Sequence, residues 1–423
     1  MKRHQPTRRF YTSVWAMGLV YLAIACSPVE HMREDFELAQ LESPASGKSG
    51  MPNLTKGQDG NIYLSWVETN EDGIHALKFS KWDGDGWGSS ETISSGDHWF
   101  VNWADFPAMA VFQEQRMAAN WLQKSGDGTF DYDIRWKFKK GDLWSESLLM
   151  NTDSLKAEHG FVSLLPTASG ELFSVWLDGR STVTEDEPGQ HNHDDHGHKG
   201  QMSLRAAVFS QNEFDRIQEW ELDNRVCDCC QTAATETNDG LVVLYRDRSD
   251  NEIRDIYIMR YEQREWSEPK PLHEDGWKIA GCPVNGPSLS SIGNQVVAAW
   301  FTGAHGEIKV QAKSSTDGGK TFGEVILLND YPGPGRVHTV AIPERNTFVV
   351  IWLENIPKRG TILKAAELTA KAELLRKWDI IEGTESRAGG FPRLAYDGEK
   401  LLFAWTDDRE GSRKLMTAFQ KIN

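Results

Sequence analysis

The sequence predicts an all-β fold, a seven-bladed β-propeller closed by a strand from near the N-terminus. Three observations predict it. A short apolar strand, a polar or glycine turn and a second strand ending in an aromatic residue recur seven times, about 55 residues apart except where one loop is longer. Many of the 17 Trp sit at the ends of these apolar runs, where repeated sheets pin to one another. The seventh copy reaches the end of the chain before a fourth strand, and a matching stretch, Phe36 to Leu41, precedes the first copy. Pairing that stretch beside Leu415 to Phe419 would complete the last blade and remove the free sheet edges that invite aggregation. A six-bladed ring would need one copy to be miscounted.

The second strands are Ile62 to Trp66, Met117 to Trp121, Leu172 to Trp176, Leu241 to Tyr245, Val296 to Trp300, Phe348 to Trp352 and Leu401 to Trp405. Third strands follow, as at Ile134 to Phe138, Ile256 to Tyr261 and Ile308 to Lys313. Fourth strands are expected at Glu91 to Ser94, Ser147 to Met150, Glu219 to Leu222, Lys270 to His273, Val325 to Leu328 and Trp378 to Ile381.

Residues 1–25 read as an export leader. Lys2, Arg3, Arg8 and Arg9 give a basic start, an apolar run spans Val14 to Ala25, and small residues precede Cys26. The pattern resembles a bacterial lipoprotein signal, with Cys26 acylated, residues 26–34 as a tether and residues 35–423 as the propeller; the other reading is an ordinary signal peptide cut nearby. The expected location is the cell envelope, with membrane contact only through the lipid anchor, since no other segment is apolar enough to cross a bilayer. The net charge of −16 argues against a nucleic-acid partner.

Ser315-Thr316-Asp317-Gly318-Gly319-Lys320-Thr321-Phe322 is a full Asp-box turn, and worn versions stand at Asp83 to Trp87, Gly141 to Trp144 and Glu265-Trp266. On these residues the chain resembles the sialidase-like, Asp-box (BNR) repeat propellers, across essentially its whole length after the leader. Such boxes are structural and lie opposite the functional face in that family. The loops of the other, upper face are rich in charge. Arg180, Arg246, Arg248, Arg336 and Arg409 are candidate members of an anion-gripping cluster, and Asp178 or Asp247 a candidate acid. Arg–Asp pairs that tie neighbouring blades are the alternative reading of each. Sialidases add a first-blade arginine and a Tyr–Glu nucleophile pair. Here the first blade opens on Met51-Pro52-Asn53-Leu54, and no Tyr–Glu pair stands out.

Cys227-Asp228-Cys229-Cys230 and Cys282, in the corresponding loop of the next blade, resemble a motif of an exported bacterial subgroup of these proteins. The cysteines are expected to cluster at the channel mouth. Three readings stay open: disulfides, suited to an exported chain; a copper or zinc site with His338 or His159 as further ligand; and an exchangeable disulfide with redox work. Glu185 to His198, a His-rich insert, reads as a solvated loop or as a weak metal binder. The functional expectation is recognition of a glycan or other small anionic ligand at the upper face, with sialidase-type glycoside hydrolysis weak or absent and binding dependent on Arg246 and Arg336. The alternatives are a non-enzymatic envelope protein with a metal-binding or redox Cys/His face, and a scaffold for protein partners.

Overall fold

A computed structural model describes residues 1, 37–183, 200–409 and 411–422. The leader beyond Met1, Cys26, the tether, Phe36 and the His-rich insert lie outside the described residues. Glu37–Asn423 forms one unit of seven small antiparallel sheets arranged as a seven-bladed propeller. Six of the sheets take their strands in chain order as meanders, and the seventh joins three C-terminal strands to one from near the N-terminus. The first blade shows the plan: Lys48–Lys56, Ile62–Thr69, His75–Lys81 and Glu91–Gly96. No helix among the described residues is long and apolar enough to cross a membrane.

The last blade closes as the sequence predicts. Ala39–Leu41 lies antiparallel to Lys414–Lys421, with Ala39 opposite Phe419 and Leu41 opposite Thr417. The second strands are apolar on both faces because each is sandwiched between neighbouring blades. Trp66, Trp176, Trp300 and Trp352 are wholly enclosed there. A buried indole N–H needs an acceptor, and a carboxylate two residues on supplies it three times. Trp66 donates to Glu68, Trp176 to Asp178 and Trp352 to Glu354, each at 2.9 Å.

Outermost strands are shorter than expected in three blades: Leu148–Leu149, Lys270–Pro271 and Ile326–Leu327. Each has a neighbour on one side only, and Pro271 has no N–H to give to a ladder.

The Asp-box turn is built from its own side chains. Asp317 accepts from the amides of Lys320 (3.0 Å) and Thr321 (2.9 Å), while Gly318 and Gly319 take positive φ. At the worn box of the first blade, Asp83 accepts from the Asp85 and Gly86 amides, and the Trp87 indole reaches Thr417 of the last blade.

First strands from all seven blades line a central cavity of about 340 Å³. Three of them begin with a bulge, at Gly50/Asn53, Gly160/Ser163 and Gly335/His338. Met51, Phe161 and Arg336 sit in these bulges with positive φ. Bulges bend a strand and re-aim its side chains, and here they shape the rim of the channel.

Candidate functional site

The cysteine loop enters the fourth blade along the end of that blade's second strand. Cys227 N–H donates to the Arg246 carbonyl at 3.0 Å. Gln231 clamps the far end of the loop, donating to the Ala104 carbonyl at 2.6 Å and accepting from the Gly286 amide at 2.9 Å. So held, Cys227, Cys229 and Cys230 bring their sulfurs within 4.8 Å of one another. Cys227 and Cys230 are buried, with Sγ atoms 3.7 Å apart, while Cys229 and Cys282 are partly exposed. Cys282 hydrogen-bonds to Cys229, so the four cysteines do gather, yet all four are free thiols. The disulfide reading finds no sulfur pair at the bonding distance of about 2.05 Å.

Two buried guanidinium groups flank the sulfurs. Arg254 Nη1 donates to Cys227 Sγ at 3.2 Å. Burial pushes the Cys227 thiol up to about 11. Burial also opposes a Cys230 thiolate. There, hydrogen bonds from Cys227 and Cys229 and the charge of Arg246 prevail and hold its pKa well below the usual thiol value. The sulfur group includes no imidazole among the described residues. His338 lies in the first strand of the sixth blade and lines the central cavity, where its Nδ1 accepts from the Leu394 amide at 3.3 Å. Burial and Arg393 keep it neutral. His159 sits in a separate group with Asp153 (3.2 Å) and Asp178 (3.7 Å). Neither His338 nor His159 joins the sulfurs, so the nitrogen ligand of the copper or zinc reading is not met.

The arginines do not form the expected open cluster. Arg180 and Arg409 fold back on the aspartate two residues earlier. Arg180 binds Asp178 through Nε (2.7 Å) and Nη2 (2.8 Å), and Arg409 binds Asp407 at 2.9 and 2.7 Å. Arg248 is held by Glu252 (2.9 Å) and Asp228 (3.3 Å). Arg246 is buried and spends its N–H groups on the carbonyls of Asn285, Arg254 and Phe301, with its guanidinium 4.9 Å from the centre of the Trp277 ring. Arg336 donates to the Ser386 and Gly390 carbonyls and lies 4.9 Å from the centre of the Trp103 ring. Burial pushes its pKa down to about 10. Of the two candidate acids, Asp178 is spoken for by Trp176 and Arg180, and its pKa is lowered. Asp247 differs. Burial and the nearby Asp223 push it up to about 7, so it retains a transferable proton near neutrality.

Three groups were missed in the sequence. Tyr132 donates its hydroxyl to Glu158 Oε1 at 2.8 Å, a Tyr–Glu pair between the second and third blades. Partial burial, with Asp228 and Asp105 near, pushes Glu158 up to about 8. Asp105 lines the cavity, takes the Phe161 amide on Oδ1 and leaves Oδ2 unmatched; burial pushes it up to about 7. Arg393 also lines the cavity, its guanidinium 4.0 Å from the centre of the Phe106 ring and its Nε without a hydrogen-bond partner. The pairing of Glu158 with Tyr132 was not legible, because nothing in the sequence marks which residues of neighbouring blades face each other.

No family model matches the chain, and no curated protein matches it. Among solved structures it is similar to a protein of unknown function from Dyadobacter fermentans. That match has 13% identity and a TM-score of 0.52, and it covers 92% of this chain and 98% of the other. Weaker likenesses, each at 10% identity and a TM-score of 0.44, include two sialidases. They are the intramolecular trans-sialidase of Ruminococcus gnavus (88% of this chain, 94% of that one) and the NanB sialidase of Streptococcus pneumoniae (92% and 71%). At these identities the likeness is one of fold.

Proposed function

We propose that this propeller works at the cell envelope and binds one thiophilic metal ion, copper or zinc, through Cys227, Cys229 and Cys230. The observation that carries this reading is the 3.7 Å between Cys227 Sγ and Cys230 Sγ, with Cys229 Sγ in the same group. Two thiolates that share one ion at about 2.3 Å stand roughly 3.8–4.0 Å apart in tetrahedral or trigonal geometry, whereas a disulfide needs about 2.05 Å. Buried thiolates also need compensating charge, and Arg254 and Arg246 are placed to supply it. Sulfur-only ligation favours soft ions. Reduced protein titrated anaerobically with Cu(I) against a chelator, and separately with Zn(II), should take up one equivalent, with a sulfur-to-metal absorption band for copper. Cys227→Ser should lose that uptake. No stoichiometric binding of either ion by fully reduced wild type would remove the reading.

A second reading keeps recognition of a small anionic or carbohydrate ligand at the same face, with hydrolysis as its catalytic form. What favours it is the hydrogen-bonded Tyr132–Glu158 pair, with the cavity residues Asp105 and Arg393 near the channel axis. It now leans on those residues rather than on Arg246 and Arg336, whose N–H groups serve carbonyls. Hydrolysis of a fluorogenic sialoside that is abolished by Tyr132→Phe would establish the catalytic form; no turnover by wild type would remove it.

A further inference from the structure

The three clustered sulfurs are not equally exposed. Cys227 and Cys230 are sealed in, so solvent meets the group on the side of Cys229 and its neighbour Cys282. Cys282 stands apart from the three whose sulfurs lie within 4.8 Å of one another. It comes from the loop that enters the fifth blade, and that loop is fastened on both sides of it. Before it, the Ile279 amide donates to the Glu252 carbonyl at 2.9 Å. After it, Asn285 reaches the Pro334 carbonyl at 3.1 Å, and Gly286 is bonded to Gln231. Between these fastenings the main chain of residues 280–282 makes no hydrogen bond among the described residues. Cys282 is thus a sulfur on a free span between two fixed points, at the open side of an enclosed group.

A purely structural zinc site holds four ligands in a closed tetrahedron. Three clustered sulfurs, two of them sealed in, with a fourth on a free span suit an ion that arrives and leaves. Resting on the reading of the group as a metal site, we propose that Cys282 is the exchange ligand, through which a thiolate-bound ion passes from a cysteine-bearing carrier to Cys227, Cys229 and Cys230. In that step the Cys282 sulfur gives up its proton and bonds the metal. One carrier sulfur–metal bond breaks, and the carrier thiolate leaves with the released proton. In the onward step the Cys227, Cys229 and Cys230 sulfurs bond the ion as its bonds to Cys282 and to any remaining carrier sulfur break, and the protons they give up pass to the departing sulfurs and to solvent. No oxidation or reduction takes place.

The test uses Cu(I) bound to glutathione as donor and follows the sulfur-to-copper band after mixing with reduced protein. Cys282→Ser should bind one Cu(I) with affinity within about threefold of wild type but acquire it from glutathione about tenfold or more slowly. Cys282→Ala should behave alike, so a peculiarity of serine cannot explain the result. In copper-loaded wild type, iodoacetamide should modify Cys282 and spare Cys227 and Cys230. Acquisition at the wild-type rate by both variants would overturn the proposal. So would an affinity loss equal to that of Cys227→Ser, which would make Cys282 a fourth permanent ligand. Copper uptake by Cys282→Ser that is slow yet tight leaves the metal reading standing, whereas no uptake by wild type removes both.

Discussion

Replacing Arg246 by methionine separates an arginine that grips a ligand from one that holds the fold. Its guanidinium donates to the carbonyls of Asn285 (3.2 and 2.7 Å), Arg254 (2.6 Å) and Phe301 (2.9 Å). Methionine keeps much of the apolar stem and the contact with Trp277 but leaves three buried acceptors without these donors. Each buried acceptor left unmatched costs about 1–3 kcal/mol, so the sum lies at roughly 3–9 kcal/mol. Loss of the cation over the Trp277 ring adds about 1 kcal/mol. Some carbonyls will find water, and roughly 4 kcal/mol is the expected net loss, a large share of the 5–15 kcal/mol typical of a domain. Urea unfolding followed by tryptophan fluorescence should show a much lower midpoint at similar slope. A ligand-gripping arginine, waiting unsatisfied at a wet mouth, would cost almost nothing in the free protein. A loss below about 1 kcal/mol would refute the argument and return Arg246 to the ligand-binding set.

His159 is enclosed, and burial works against its charge, but Asp153 and Asp178 outweigh that and raise its pKa above the usual value of about 6.5. Because the folded pKa is the higher one, the stabilisation is fully present below about pH 6.5 and is lost as pH rises through the folded value. Wild type should therefore lose urea resistance as pH rises above about 6.5, and His159→Gln should lack that slope; equal slopes would discard the assignment. Substituting proline at Ala39, Gln40 and Leu41 together should remove the ladder donors of the closing strand, cost roughly 3 kcal/mol and raise light scattering from the exposed edge. Unchanged melting and scattering would mean that the strand does not hold the ring. Asp317→Ala removes the acceptor of Lys320 N, Thr321 N and the Ser315 and Thr321 hydroxyls. It should cost about 1 kcal/mol in this partly wet turn while leaving metal uptake unchanged, and altered uptake would contradict a structural role opposite the site.

Much of the fold was legible because its signals are local. Trp66, Trp176, Trp300 and Trp352 end their apolar runs where buried strands must end, and the missing fourth strand of the last copy has one economical completion, Ala39–Leu41. The approach of Cys282 to Cys229 was legible from their corresponding loops in consecutive blades. The arginines were not. Asp178–Arg180 and Asp407–Arg409 share one spacing and one geometry, so that motif can be read from sequence once seen, as a self-contained clip. Arg246 looks as exposed as Arg248 in the sequence, yet its carbonyl partners Asn285 and Phe301 lie in another blade. His338 was a candidate ligand beside the cysteines, but it lies in the first strand of the sixth blade, next to the bulge at Gly335/His338, and lines the channel. Tyr132 and Glu158 meet only because two blades adjoin. Partnerships across blades depend on the radial geometry of the ring, which no repeat pattern spells out.

The pairing of Ala39–Leu41 with Lys414–Lys421 also has a consequence in time. During synthesis the six preceding sheets can each form from neighbouring strands as they emerge, but the seventh waits for the last strand to be made. Until then its partner stays unsatisfied at the other end of the chain. Contacts between sequence-distant segments form late and slowly. The ring is thus expected to pass through an open arc during folding, with the seam as its last step and, on unfolding, its first point of opening.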